Sequence, residues 1–186
     1  MFREESEADA VARVLRDCIA VTPYDPAWPA AFAAEEAHLR EVLPAGLIGR
    51  IEHIGSTAVP GLCAKPVVDL LVEVTDVEAA RLALPAALPP PQYDYFWRPE
   101  SGDEGPRYSF LIRRDVEGRR THHLHCVPAG HSLWICLRFR DLLRTRPDLA
   151  IAYGALKRDL AARHADDRVT YTQSKTDFIT RALALG

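Results

Sequence analysis

From His53 to Val74 the chain reads HIGSTAVPGLCAKPVVDLLVEV: two apolar runs joined through a Gly-Ser-Thr turn, with a lone Asp inside the second. This stretch constrains the fold more than any other. VVDLLVEV (67–74) is short, rich in β-branched residues and bounded by Lys65-Pro66, which predicts a strand. Pro66 stands at its start, where a missing N–H costs a sheet least. LIGRIEHI (47–54) reads as a strand entering the turn. Strand alternation puts Val68, Leu70, Val72 and Val74 on one face and Val67, Asp69, Leu71 and Glu73 on the other. The first set is a core face, so Asp69 is expected to point the other way, toward the turn. Gly55 permits close approach of the backbone, and the N–H groups and hydroxyls of Gly55, Ser56 and Thr57 suit an anion. Neither GxxxxGKS/T nor GxGxxG occurs, which excludes a P-loop or a Rossmann phosphate site.

Upstream, residues 5–17 place Ala8, Val11, Ala12 and Leu15 at helical spacing and predict an outer helix. Residues 28–43 predict a second, with Phe32, Leu39 and Val42 inward and Pro44 beyond its end. Downstream, Thr75 and Glu78 form a capping box for a short helix that the Pro85–Pro91 region ends. Residues 92–106 show no period and read as loop. RYSFLIR (107–113) and THHLHCV (121–127) predict an antiparallel pair around a DVEGRR turn. From 132 onward the pattern is helical: 132–145, 147–164 with Pro147 in its first turn, and 168–185 behind Asp166 and Asp167. The whole is one domain of 186 residues. Its class is α+β, a small mixed β-sheet flanked by helices with a helical C-terminal tail. An outer N-terminal helix falls in 1–20, the sheet core in 21–128 and the tail in 129–186.

The net charge of −3 is unevenly spread, since residues 129–186 hold ten Lys and Arg against six Asp and no Glu. A globally acidic chain is not built for a nucleic-acid polymer, which requires basic surface to release counterions. A basic tail facing an acidic remainder suits a small phosphorylated ligand held with a metal. No apolar run approaches the roughly 20 residues of a membrane span, and the acidic, amphipathic N-terminus is unlike a secretory signal. Cys18, Cys63, Cys126 and Cys136 form no CxxC pair and predict reduced thiols in a cytoplasmic protein.

Candidate chemistry falls in three groups. Asp69, beside the turn, is the first. The second is His123 and His125, which share a strand face as metal ligands or a phosphate-binding pair would. Imidazole shifts preference from magnesium toward manganese or zinc. Polar strand residues bonded to a neighbouring loop would read the same way. His53 is a lesser candidate, and His38, His131 and His164 read as surface. The third group lies on the tail. Tyr153 and Lys157 are four apart, as are Tyr171 and Lys175, with Arg168 three before Tyr171. An aromatic with a lysine can stack a base and hold a phosphate; equally, the rings can pack while the lysines snorkel to water. Ser56 lacks the GxSxG setting of a hydrolase nucleophile.

IEHIGSTAVPGLCAKPVVDLLVEV, HHLHCV, FRDLLRTRPDLAIAYGALKRDLA and YTQSKTDFI together resemble the GrpB family of the nucleotidyltransferase superfamily, over about residues 21–183. The resemblance implies a compact αβ fold in which a Gly-Ser turn precedes a strand bearing an Asp-x-Asp pair for two magnesium ions. A third acid typically stands on a later strand. On this sequence it implies that Gly55, Ser56 and Thr57 cradle phosphates. Asp69, His123 and His125 would hold a divalent metal (magnesium or manganese, with zinc a further option), and with Ser56 they form the catalytic set. Lys65, Tyr153, Lys157, Arg168, Tyr171 and Lys175 would bind the nucleotide. Two departures stand out: Leu71 occupies the second carboxylate position, and histidines replace the later acid, whereas in-line nucleotidyl transfer relies on metals held by several carboxylates. The implied activity is transfer of a nucleotidyl group from a nucleoside triphosphate to a small acceptor. The alternative is a non-catalytic nucleotide- or coenzyme-binding regulatory module, and the third is a metal-dependent hydrolase or ligase using the histidine pair. GrpB-like domains fused to dephospho-coenzyme A kinases imply a link to coenzyme A biosynthesis. The expected partner is a small-molecule nucleotide, with no nucleic-acid polymer and no membrane.

Overall fold

The two apolar runs around the turn are strands, and they sit beside each other in one sheet. The computed structural model describes residues 20–101, 104–164 and 167–185, so the helix expected over 5–17, Cys18 and Asp166 lie outside the described residues. In chain order the elements are α1 (Trp28–Val42), β1 (Ile48–Ile54), β2 (Val68–Val74), α2 (Val77–Ala87), β3 (Tyr93–Ser101), β4 (Glu104–Arg114) and β5 (Arg120–Val127). The tail follows as α3 (Ile135–Thr145), α4 (Pro147–Arg163), α5 (Arg168–Gln173) and α6 (Thr176–Ala184). The five strands form one mixed sheet in the order β1-β2-β5-β4-β3. All neighbours are antiparallel except β2 and β5, which run parallel at its centre. This is the mixed sheet flanked by helices that the sequence predicts. No helix among the described residues is long and apolar enough to cross a membrane.

Both faces of the sheet are covered. On one, Leu70, Val72, Leu111 and Leu124 pack under Leu39 of α1 and Leu84 of α2. On the other, Ile54, Leu71, Phe110, Ile112 and Val127 meet Leu133 and Trp134 from the 3₁₀ turn Ser132–Trp134 and Leu137 from α3. Burying each such aliphatic or aromatic side chain contributes about 1.5–3 kcal/mol. Leu71 therefore has 0% exposure on the very face from which Asp69 emerges. The tail adds a third cluster, in which Val59 and Leu62 pack against Leu143 and Tyr153.

Several local expectations are corrected. The stretch 92–106, expected as loop, is largely strand: it supplies the edge strand β3 over Tyr93–Ser101 and the start of β4 from Glu104. The period is hidden because Asp94 points inward yet is neutralised by Arg114 at 2.7 Å. Helix α2 is capped by Asp76, whose carboxylate accepts from the Ala79 N–H at 2.9 Å, while the Thr75 hydroxyl donates to the Gly46 carbonyl and Glu78 pairs with Arg81. Pro85 lies inside that helix, which ends at Ala87, within the Pro85–Pro91 region expected to stop it. The expected final helix is split by a turn at Ser174-Lys175. His131 is buried instead of surface-exposed: its Nδ1 accepts from the Leu133 N–H, and its ring lies edge-on to Tyr108.

Candidate functional site

Strand β1 ends at Ile54, which pairs across the sheet with Asp69. The next residue, Gly55, adopts φ of 71°, a left-handed conformation that side chains disfavour. A Cβ there would also lie 2.4 Å from Asp69 Oδ2. Glycine is thus required twice over, by its own backbone and by the carboxylate seated against it. Ser56–Ala58 then makes one tight 3₁₀ turn, closed by the Ala58 N–H donating to the Gly55 carbonyl.

The parallel pairing of β2 with β5 sets Asp69 beside His123 and Leu71 beside His125. His123 Nδ1 lies 2.9 Å from Asp69 Oδ1. Burial pushes the Asp69 carboxyl upward, but the hydrogen bond and charge of His123, with His125 and Lys175, outweigh it and leave the group below its usual value. An ionised carboxylate can only accept, so Nδ1 carries the proton and the tautomer is fixed. His123 Nε2 is buried without a hydrogen-bond partner among the described residues. His125 Nδ1 lies 3.3 Å from the Tyr108 hydroxyl, and burial lowers this imidazole to about 4 despite the pull of Asp69. His53 behaves alike on the other side of the turn: stacked on Phe32 and 3.0 Å from Thr57 Oγ1, it is lowered by burial to about 4.

The tail closes the site. Lys157 of α4 is 2% exposed, and its ammonium donates to the Cys63 carbonyl. Burial, with Lys175 and Arg158 nearby, lowers it to about 8, only partly opposed by Cys63. Tyr171 is buried, with Lys65 Nζ 4.2 Å and Lys175 Nζ 4.5 Å from its ring centroid. Tyr153 is also buried, packed edge-on to Phe139 and stacked on Phe178, each at 5.2 Å. Burial raises its phenol, partly offset by the neighbouring Ser56.

Ser56, Thr57, Lys65, Asp69, His123, His125, Lys157, Tyr171 and Lys175 all line one cleft of about 340 Å³. Gly55 supports Asp69 from beneath, Tyr153 lies behind the wall, and the Arg168 side chain is outside the described residues. Sequence reasoning missed two further lining cations, Arg98 from β3 and Arg120 from β5. Arg98 fell in the stretch read as loop, and Arg120 in the turn between the paired strands.

Paired divalent cations do not fit these residues. Leu71 is held in the apolar cluster, and Glu52, opposite it on β1, is bound by Arg140 at 2.8 Å. Asp69 is the one carboxylate among the described lining residues. No group of three or more His, Cys, Asp or Glu among the described residues is placed to hold a metal ion.

A mixed five-stranded sheet, with a Gly-Ser-Thr turn lodged against an Asp on β2, next to the central strand, defines a small α+β protein with a sheet of the nucleotidyltransferase type. The chain belongs to the GrpB family: the family model described as GrpB protein matches residues 18–184. A UPF0157 protein of Pseudomonas aeruginosa is 39% identical over 181 residues, covering 90% of this chain and 67% of that protein. The UPF0157 protein YqkA of Bacillus subtilis is 35% identical over 167 residues, covering 86% of this chain and 44% of that longer protein. The crystal structure of conserved protein GrpB from Enterococcus faecalis superposes with a TM-score of 0.75 at 35% identity, covering 89% of this chain and 98% of that one.

Proposed function

We propose that the cleft binds a phosphorylated small molecule, with its anionic group facing the lysines and the Gly-Ser-Thr turn. One observation carries this reading. Among the described lining residues, Lys65, Arg98, Arg120, Lys157 and Lys175 stand with one carboxylate, that of Asp69. Cations gathered from several walls around a small, partly desolvated space favour a multiply charged anion. Charge-assisted hydrogen bonds from lysine or arginine to phosphate contribute about 1.5–3 kcal/mol each. The reading is that of a binding module, in line with Leu71 standing where a second metal-binding carboxylate would be needed.

Thermal shift tests it. Nucleotides, pyrophosphate and coenzyme A precursors should raise the melting temperature, with or without magnesium, while their dephosphorylated counterparts do not. A ligand at a hundredfold its Kd adds about 2.7 kcal/mol, which is readily seen. Stabilisation by adenosine or pantetheine to the same extent, or by none of the phosphates, would sink the reading. A second reading, metal-dependent nucleotidyl transfer, draws on the turn seated against Asp69. A nucleotidylated acceptor formed with magnesium or manganese would establish it.

A further inference from the structure

The reading above leaves open which part of a phosphorylated molecule is recognised, and the rings around the cleft answer that. Sites that read a nucleobase offer an aromatic face, and such stacking is worth about 5- to 150-fold in affinity per base. Here each candidate face is already covered. Tyr171 is 1% exposed, with the Lys65 and Lys175 ammonium groups over its ring. Phe110 is 7% exposed: the Arg98 guanidinium lies 4.9 Å over it, and the rings of His123 and His125 pack at 5.5 and 5.0 Å. Tyr153 is stacked on Phe178, with the Lys157 ammonium 4.9 Å over its ring and Phe139 packed perpendicular to it.

What borders the space is therefore charge, and it arrives from separate parts of the fold. Lys65 precedes β2, Arg98 lies on β3, Arg120 opens β5, Lys157 is on α4, and Lys175 sits in the turn between α5 and α6. Among the described lining residues, five carry cationic side chains and one a carboxylate, around about 340 Å³. A single phosphate monoester carries at most two charges near neutrality and cannot meet cations on all of these walls at once. A short chain of linked phosphates can.

We propose that the cleft recognises two or three linked phosphates as such, an inorganic polyphosphate or the diphosphate or triphosphate end of an ester, and makes no use of a nucleobase. This rests on the reading of the cleft as a phosphate site. Isothermal titration calorimetry at fixed ionic strength, using inorganic triphosphate, pyrophosphate, ATP, AMP and adenosine as probes, tests both. Inorganic triphosphate and ATP should bind within about threefold of each other, AMP at least about tenfold more weakly, and adenosine not at all. The Lys175→Met variant should weaken triphosphate and ATP by the same factor, about 10- to 100-fold. ATP binding tenfold or more tighter than triphosphate, AMP matching ATP, or a Lys175→Met loss confined to ATP would overturn this proposal and leave the phosphate site standing. Silence from every phosphate compound would remove the site and the proposal together.

Discussion

Gly55 holds the turn and the acid in a single arrangement. An alanine there would be forced into a left-handed backbone, costing about 1–2 kcal/mol, and its methyl would collide with Asp69 Oδ2. Gly55→Ala should therefore unfold at lower urea by more than that strain alone, and should lose phosphate binding through the displaced carboxylate. Unchanged binding with the fold intact would show that the Asp69 position does not matter. The imidazoles make a prediction of opposite character. Burial holds His53 and His125 near 4, below the ordinary 6.5. Below 6.5 the unfolded chain takes up a proton on each that the folded chain refuses until about 4. Stability is thus intact above 6.5 and falls through that window, by up to about 1.4 kcal/mol per pH unit for each histidine. Urea midpoints at pH 7 and 4.5 should show the drop, and His53→Gln should shrink it. If His53→Gln leaves the pH dependence unaltered, the group does not titrate as its burial requires.

Among the elements, the broken tail between α5 and α6 decides how Tyr171 and Lys175 divide their work. Tyr171 is walled in by Leu160, Leu156 and Val21, so Tyr171→Ala should cost about 3–5 kcal/mol of stability, by analogy with other buried aromatics. Lys175→Met keeps most of the apolar stem and should cost less than about 1.5 kcal/mol. Melting temperatures of the two variants check this; equal losses would mean that Lys175 is structural. The same elements show what a sequence exposes. The turn, Asp69, His123 and His125 were legible because each lies within a short apolar run whose period is local. Strand β3 was not, because its buried Asp94 is balanced by Arg114, twenty residues on. With β3 unread, Arg98 had no place in the cleft. Glu35 on α1 escaped for a like reason: it has 0% exposure, accepting from the Tyr93 hydroxyl at 2.9 Å and from Arg113. Those partners lie 58 and 78 residues away, beyond the reach of any helical period.

For the molecule as a whole, the order of the strands matters more than their number. The sheet is antiparallel at both margins and parallel only at β2 and β5, and the candidate site straddles that parallel pair. Asp69 and His123 are 54 residues apart in the chain, and Lys157 reaches the Cys63 carbonyl across 94. Contacts this distant form only after loop-closure entropy has been met, which slows a fold dominated by them. The hairpin of β3 with β4, and β4 with β5, has no such delay. Synthesis adds a second constraint, because Lys157 and Lys175 follow the Gly-Ser-Thr turn in chain order. A chain still emerging from the ribosome therefore carries the Gly-Ser-Thr turn well before it has a cleft. The phosphorylated ligand proposed above would meet this cleft only after α4 and the turn following α5 have joined it, and would act as a clasp on a cleft already folded, with no part in guiding it.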